Sequence, residues 1–377
     1  MWSPQRYFQD GRRRGRDDAV LAEGVRQIQN LRRHVPPLPA ILTLCHLAQR
    51  TGVPYDHLRG IVSRADERPN YRRFKIRKRS GGWRRISVPE PKLKIAQTWL
   101  AQHVLSKVAP HAASHAFAPG SSTVACAVQH SGARWLIKMD IADFFGSITE
   151  IQVYRVFRSL GYNALVSFEL AAVCTDAPWR SAKYALRSWQ VHFPRKRIEL
   201  YVRKRLGRLP QGAPSSPMLA NLVMRRLDQA LSDLGQSHGL VYTRYSDDIT
   251  FSTAGAFTKT RAFKVVEAAA TLLKAQGLYP NRAKTAIVHP GARRIVLGLS
   301  VNEAYPRLSR TFRDRLRQHF YYLEKHGIQR HMEARKFDSV GGLYRHLRGL
   351  IDYANMVDQP YAASLRRRLA MLPWNSL

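Results

Sequence analysis

The sequence predicts an α+β protein, with antiparallel hairpins covered by helices and a helical unit at the end of the chain. Three observations predict it. Short runs of β-branched and aromatic residues come in pairs around turn residues, as in GLVYTRY, Ser246-Asp247-Asp248 and ITFS over 239–252. Longer segments between such pairs carry apolar residues three and four apart, the spacing of a helix face. The order of elements is mixed, which favours antiparallel pairing over repeated strand–helix units.

In chain order, residues 1–35 are Arg-rich and read as a loosely ordered start followed by a helix over 20–35. PPLP at 36–39 breaks it. Residues 41–64 give two helices around Gly52-Val53-Pro54. That pair fits either a small DNA-binding helix pair or a helical extension packed on the main body. YRRFKIRKRSGGWRRISVP (71–89) reads as two strands joined by Ser80-Gly81-Gly82, with basic residues on both arms. Pro91 heads a helix over 91–108, with an apolar stripe at Leu93, Ala96, Leu100 and Val104. WLIKMDIADFFGSI (135–148) is an apolar strand that ends in Asp140 and runs into an aromatic turn. A Pro/Gly loop feeds a helix over 209–231, a helix follows at 258–277, and ARRIVLGLSVN (292–302) is a strand or strand pair. From 308 to 377, Arg alternates with Leu, Phe and Tyr at helical spacing.

Charge narrows the partners. Sixty-two Lys and Arg face 26 Asp and Glu among 377 residues, a net charge of +36. A field of that sign draws polyanions. The basic residues are spread over 12–16, 72–79, 195–205 and 307–317 rather than gathered in one tail, so the body itself is expected to surround nucleic acid. Cys45, Cys126 and Cys174 form no CxxC pair, which points to a reducing compartment and excludes a disulfide framework. The longest apolar stretch, 38–48, is too short to cross a bilayer, and the first 35 residues are charged throughout. The expectation is a cytoplasmic protein with no membrane partner.

Two readings of the acids compete. Asp140 can be a strand-end cap and Asp247-Asp248 a turn. If their strands are neighbours, however, three carboxylates converge, and such a cluster repels itself unless a cation sits within it. Oxygen ligands of this kind suit Mg²⁺, which fills its shell with water and substrate phosphate. Two such ions can activate a 3′-hydroxyl and stabilise a leaving pyrophosphate.

The ordered set KMDIADFF (138–145), LPQGAPSSP (209–217), RYSDD (244–248), LYPNRAKT (278–285) and VLGLSVN (296–302) resembles a reverse transcriptase, across roughly 70–370. The resemblance implies a right-hand polymerase that makes DNA from dNTPs on an RNA template. It divides the chain into a basic helical N-terminal extension (1–66), interleaved fingers and palm (67–300) and a helical, RNA-binding thumb (301–377). It makes Asp140, Asp247 and Asp248 the acids that hold two Mg²⁺ ions, with Mn²⁺ a possible substitute. Phe145 then matches the steric gate that excludes a 2′-hydroxyl; its alternative is a core Phe beside Phe144. Lys78 and Arg84 match the finger residues that grip the triphosphate, with Arg85 as rival for the second place. Gln211 and Gly212 match the loop beside the nucleotide. Lys284 matches a lysine near the leaving pyrophosphate, as a general acid or a surface residue.

Within that family the compact chain is similar to bacterial retron enzymes, with no segment left for an RNase H or maturase domain. His130 and the Val296–Gly298 turn match family motifs expected at RNA, and Arg307, Arg310, Arg313 and Arg317, interleaved with aromatic residues, suit an RNA-gripping thumb. His130 also fits a satisfied core histidine. Cys126 stands where the family has Asn, Leu297 where it has Thr, and Ser246 where Ala is commoner. The resemblance implies a structured noncoding RNA as partner, priming from an internal 2′-hydroxyl, a branched RNA–DNA product (msDNA), and anti-phage defence with an effector protein encoded alongside. The alternatives are another bacterial reverse transcriptase (group II intron, diversity-generating or abortive-infection type) or an idle polymerase fold that only holds RNA.

Overall fold

The structure, a computed structural model, describes residues 3–64, 70–78, 81–177 and 206–374. The basic run at 195–205, Arg79 and Ser80 of the first hairpin, and the expected boundary at 66–67 lie outside the described residues. The chain divides into two compact units. One comprises Met1–Gly120, Ile141–Leu231 and Ala270–Asn281, and the other Ser121–Asp140, Ser232–Ala269 and Arg282–Leu377.

The first unit opens on a helix, Pro4–Arg13, where the sequence suggested a loosely ordered start. Local chemistry explains the difference. Ser3 caps the helix by accepting from the Arg6 N–H, Pro4 presets the first turn, and the helix packs on its successor Asp18–Arg32. The helices Leu44–Thr51 and Tyr55–Ser63 bury Leu47, Leu58, Ile61 and Val62. They pack on helices Pro91–His103 and Ala164–Cys174 of the same unit, which favours the extension over a free DNA-binding pair. The helix Pro91–His103 stops five residues short of the expected end and passes through the buried Val104 into a 3₁₀ turn at Leu105–Lys107.

Strands β1 (Tyr71–Arg77) and β2 (Trp83–Pro89) form the expected basic hairpin, in register from Tyr71↔Pro89 to Arg77↔Trp83. Most of its residues are exposed, so its base is held by polar contacts. The Tyr71 hydroxyl accepts from Gln97 Nε2 at 2.7 Å, and the Arg73 guanidinium donates to both Asp176 oxygens at 3.0 and 2.6 Å.

The second unit is built on a four-stranded antiparallel sheet in the order β4-β5-β3-β6. Its strands are β3 (Trp135–Asp140), β4 (Val241–Tyr245), β5 (Asp248–Thr253) and β6 (Ala286–Val288). ARRIVLGLSVN becomes a strand pair, β7 (Ile295–Val296) and β8 (Leu299–Ser300), extended by β9 (Arg307–Leu308). The helices Arg310–Ala334, Val340–Asn355 and Gln359–Ala370 follow, and the first of them breaks at Gly327 (φ 78°). Leu316, Phe320, Leu343, Leu347 and Ile351 from these helices share one core with Val296 and Leu299 of the hairpin and Leu136 of β3. Burying each such side chain contributes about 1.5–3 kcal/mol, enough to fix the helices to the sheet's own unit. Among the described residues, no helix is long and apolar enough to cross a membrane.

That core also holds a polar pair. His319 Nδ1 and His331 Nε2 lie 2.9 Å apart, both rings buried. Burial, then the charges of His331, Arg335, His346 and Arg315, hold the His319 imidazole down at about 4. The unfolded imidazole takes its proton near 6.5, so between those two values the unfolded chain binds more protons and acid removes stability. Between pH 7 and 5 the melting temperature of wild type is therefore expected to fall relative to that of His319→Gln. Equal slopes for the two proteins in pH-dependent thermal melts would contradict this.

Candidate active site

Asp140 ends β3, and Asp248 begins β5 directly opposite it in the antiparallel register. Paired residues of this kind have Cβ atoms about 5 Å apart, so two carboxylates face each other on one sheet. Asp247 lies in the two-residue turn between β4 and β5, preceded by Ser246 at φ 59°. A positive φ at the first turn residue is what a tight hairpin demands. The turn is held from within: Arg244, wholly buried, donates from Nη1 to the Ser246 carbonyl at 2.9 Å. Strand register thus sets Asp140 against Asp248, with Asp247 next to them in the turn.

The electrostatics follow from that closeness. Partial burial, then the charges of Asp247 and Asp140, push the Asp248 carboxyl up to about 6, against the pull of Lys138 and Lys284. Lys284, in the 3₁₀ turn Arg282–Lys284, donates from Nζ to Asp140 Oδ2 at 2.8 Å. That hydrogen bond raises the ammonium's pKa, so the lysine stays charged and offsets part of the repulsion. Among the described residues no group of three or more His, Cys, Asp or Glu side chains is placed to hold a metal ion by itself. Mutually repelling carboxylates at the open end of a sheet suit instead a hard cation that keeps water and takes further oxygens from phosphate. As donors, these carboxylates have the chemistry a divalent cation takes.

Behind the turn, His130 is 1% exposed. Its Nδ1 meets Ser252 Oγ on β5 at 2.7 Å and its Nε2 meets Thr243 Oγ1 on β4 at 2.6 Å. Cys126 Sγ also reaches Thr243 Oγ1, at 3.3 Å, and burial pushes its thiol up to about 11. This corrects the RNA contact expected of His130: a buried ring engaged at both nitrogens ties β4 to β5 and has no edge for RNA. Val296 is likewise 1% exposed, in the core, which leaves the exposed Gly298 (φ 87°) to present that turn.

Arg310, Arg313 and Arg317 fall on one side of their helix, spaced three and four apart, with Arg307 just before it on β9. Arg307 pairs with Glu303, while Arg310 and Arg317 pair with Asp314. Exposed pairs of this kind contribute about 0–1 kcal/mol and are readily exchanged for phosphate. Arg313 is held more firmly, 2.7 Å from Asp358 and over the Tyr361 ring.

In the first unit, the Gly212 backbone has φ 120°, and a Cβ there would meet Ile86 Cγ2 at 3.0 Å and the Ser87 carbonyl at 3.1 Å. Only glycine fits. The Gln211 carbonyl accepts from the Ser87 N–H at 2.8 Å, so this loop lies along β2. Arg84 pairs with Ile76 and Arg85 with Lys75, on opposite faces of the exposed hairpin, and the Lys78 N–H closes its end on Gly82. Phe145 is half-buried and neighbours both the buried Phe144 (ring centroids 5.4 Å apart) and Phe117 (6.2 Å). Sequence reasoning passed over Asp143, three residues after Asp140. Partial burial raises its carboxyl, against the charges of Arg208, Arg85 and Lys78. An acid among so many basic residues, spaced by three from another, was the available signal.

A profile of the family described as "Reverse transcriptase (RNA-dependent DNA polymerase)" matches residues 76–313. The chain is 35% identical to the Retron Mx65 reverse transcriptase of Myxococcus xanthus, over 88% of this chain and 72% of that protein. The chain belongs to the reverse transcriptase family. It is an RNA-directed DNA polymerase with the right-hand polymerase fold. The Retron Mx162 reverse transcriptase of the same organism is 34% identical, over 68% of this chain and 53% of that protein. The Retron Ec86 reverse transcriptase of Escherichia coli is 28% identical, over 90% and 94%.

For this reverse transcriptase the crowding of acids has a thermodynamic signature. The Asp248 carboxyl has a folded pKa above its unfolded value, so ionising it opposes folding, and its own contribution to stability rises as pH falls from 7 through 6. In metal-free buffer at pH 7.5, Asp248→Asn is expected to melt about 1–3 °C higher than wild type, without that gain on acidification, while losing DNA synthesis. A lower melting temperature at pH 7.5 would mean that the carboxylate is not under repulsion.

Proposed function

We propose that this reverse transcriptase serves a retron: it copies part of a structured noncoding RNA from a 2′-hydroxyl within that RNA and leaves a branched RNA–DNA. The observation that carries the catalytic part is the register that sets Asp140 opposite Asp248 beside Asp247. The similarity to several retron enzymes over most of the chain supports the retron part. A role in anti-phage defence, with an effector protein encoded alongside, belongs to the same reading.

Asp140, Asp247 and Asp248 would hold two Mg²⁺ ions, with Mn²⁺ a possible substitute. Bound there, the ions would supply activation of the primer hydroxyl and charge neutralisation of the pyrophosphate. Lys284 keeps Asp140 compensated until then and carries its proton as an ammonium, able to face a phosphate oxygen. Lys78 with Arg84, or Arg85 in its place, would hold the triphosphate, and the exposed hairpin leaves these side chains free of the core. Gln211 and Gly212 would lie along the nucleotide, and the Phe145 ring would exclude a 2′-hydroxyl. Gly298, Arg307, Arg310 and Arg317 would meet the RNA, with the exposed Tyr321 and Tyr322 further along the same helix as stacking surfaces.

Two experiments test this. Nucleic acid extracted from the protein purified with its native operon is expected to contain a short DNA whose gel mobility shifts after debranching. RNA without attached DNA would reject retron priming and favour another reverse transcriptase class. Asp247→Ala is expected to lower DNA synthesis by at least about 10³-fold while RNA binding stays within about threefold of wild type. Synthesis near the wild-type rate would remove Asp247 from the chemistry.

A further inference from the structure

Phe117 occupies a backbone conformation that a bulky side chain rarely takes. Its φ is +65°, and the Ala118 N–H donates to the Ala116 carbonyl at 2.9 Å, closing a three-residue turn centred on it. Such γ-turns with a positive central φ are rare and strained. The surroundings fix the strain in place. Asn221, wholly buried on the helix Ser216–Ser237, donates from Nδ2 to the same Ala116 carbonyl at 2.6 Å. Its Oδ1 accepts from the buried Ser114 hydroxyl at 3.0 Å. Two donors, one of them a buried amide, thus hold a turn that glycine would adopt more readily.

Burial of Phe117 does not explain that strain, because the residue is 41% exposed. One flank faces an open groove of about 600 Å³, lined by Ala118, Pro119, Pro214, Pro217 and Met218. What the ring does touch is Phe145, with centroids 6.2 Å apart and planes tilted by 51°. Phe145 also neighbours Phe144, at 5.4 Å, and Phe144 is buried in the core at 3% exposure. The half-buried ring therefore has one neighbour buried in the core and one placed by a strained turn. Backbone strain of this kind persists where the surrounding structure over-determines it, and it gathers at working sites.

We propose that Phe117 is a positioning residue for the Phe145 ring, and that it thereby sets how strongly the enzyme prefers deoxynucleotides over ribonucleotides. This rests on the reading of Phe145 as the group that excludes a 2′-hydroxyl. A gate discriminates by steric overlap, and a ring free to tilt by even part of an ångström gives way to the extra oxygen. Contact with the Phe117 ring limits that freedom, and the clamp on Ala116 holds Phe117 to its task.

The test uses the full chain on an oligo(dT)-primed poly(rA) template and compares kcat/KM for dTTP and UTP. Phe145→Ala is expected to lower the dTTP/UTP ratio by well over tenfold. Phe117→Gly, which removes the ring and relieves the turn, is expected to lower the ratio about tenfold through a rise in UTP efficiency. Phe117→Tyr keeps the ring and should keep the ratio within about twofold, and the double variant Phe117→Gly/Phe145→Ala should fall no further than Phe145→Ala alone. Phe117→Leu, apolar but without a ring, makes the same prediction if the glycine variant folds poorly, with thermal melts as the check. A ratio lost in Phe145→Ala but kept in both ring-deleting Phe117 variants would overturn the proposal and leave the gate standing. An equal loss with both nucleotides would also overturn it, as the mark of a structural role. A ratio unchanged in Phe145→Ala would overturn the gate, and the proposal with it.

Discussion

Asp140 and Asp248 are cross-strand partners, and a pair of like charges so placed opposes the sheet that creates it. Much of the second unit answers that one constraint. Lys284 lends Asp140 a positive charge. Arg244 pins the turn at Ser246 from beneath, and His130 ties β4 to β5 through Thr243 and Ser252. A hairpin that could slip by one residue would turn Asp248 to the opposite face of the sheet and dissolve the cluster. The polar brace under the turn makes that slip costly, because it would leave buried hydrogen-bonding groups unpaired.

The same unit couples its carboxylates to its helices through an apolar core. Leu136, four residues before Asp140, shares that core with the β7–β8 hairpin and with Leu316 and Phe320. Placement of the arginine-bearing helix and placement of the acids therefore draw on the same buried surface. In the first unit the corresponding device is backbone conformation. Gly212 lets one loop lie against β2, and the clamped turn at Phe117 sets a ring beside Phe145.

The acids and the glycines were the most legible parts of this reverse transcriptase. Asp140, Asp247 and Asp248 stood at the ends of β-prone runs, and Gly212 stood in a Pro/Gly loop ahead of a helix, so strand and turn chemistry already assigned them places. The first hairpin, the apolar strand before Asp140 and the helices after 308 were legible for the same reason: residue type and period agree along each of them. The first helix was misjudged because an Arg-rich composition hides a Ser cap, a leading proline and a partner helix. His130 looked equally suited to RNA or to the core, since an isolated imidazole has the same pattern in either place. Burial decided it.

What the sequence by itself determined is therefore the set of chemical groups and their local setting: three carboxylates at strand ends, a basic hairpin, an aromatic pair and an arginine-rich helix. Spacing along a chain specifies such settings because period and turn chemistry act over a few residues. Only the tertiary structure decided the partners. Asp140 meets Asp248 across 108 positions through strand register, Lys284 meets Asp140 across 144, and Phe117 meets Phe145 through a turn held by Asn221. Those contacts come from register, burial and strain, which belong to the folded whole and to no short segment.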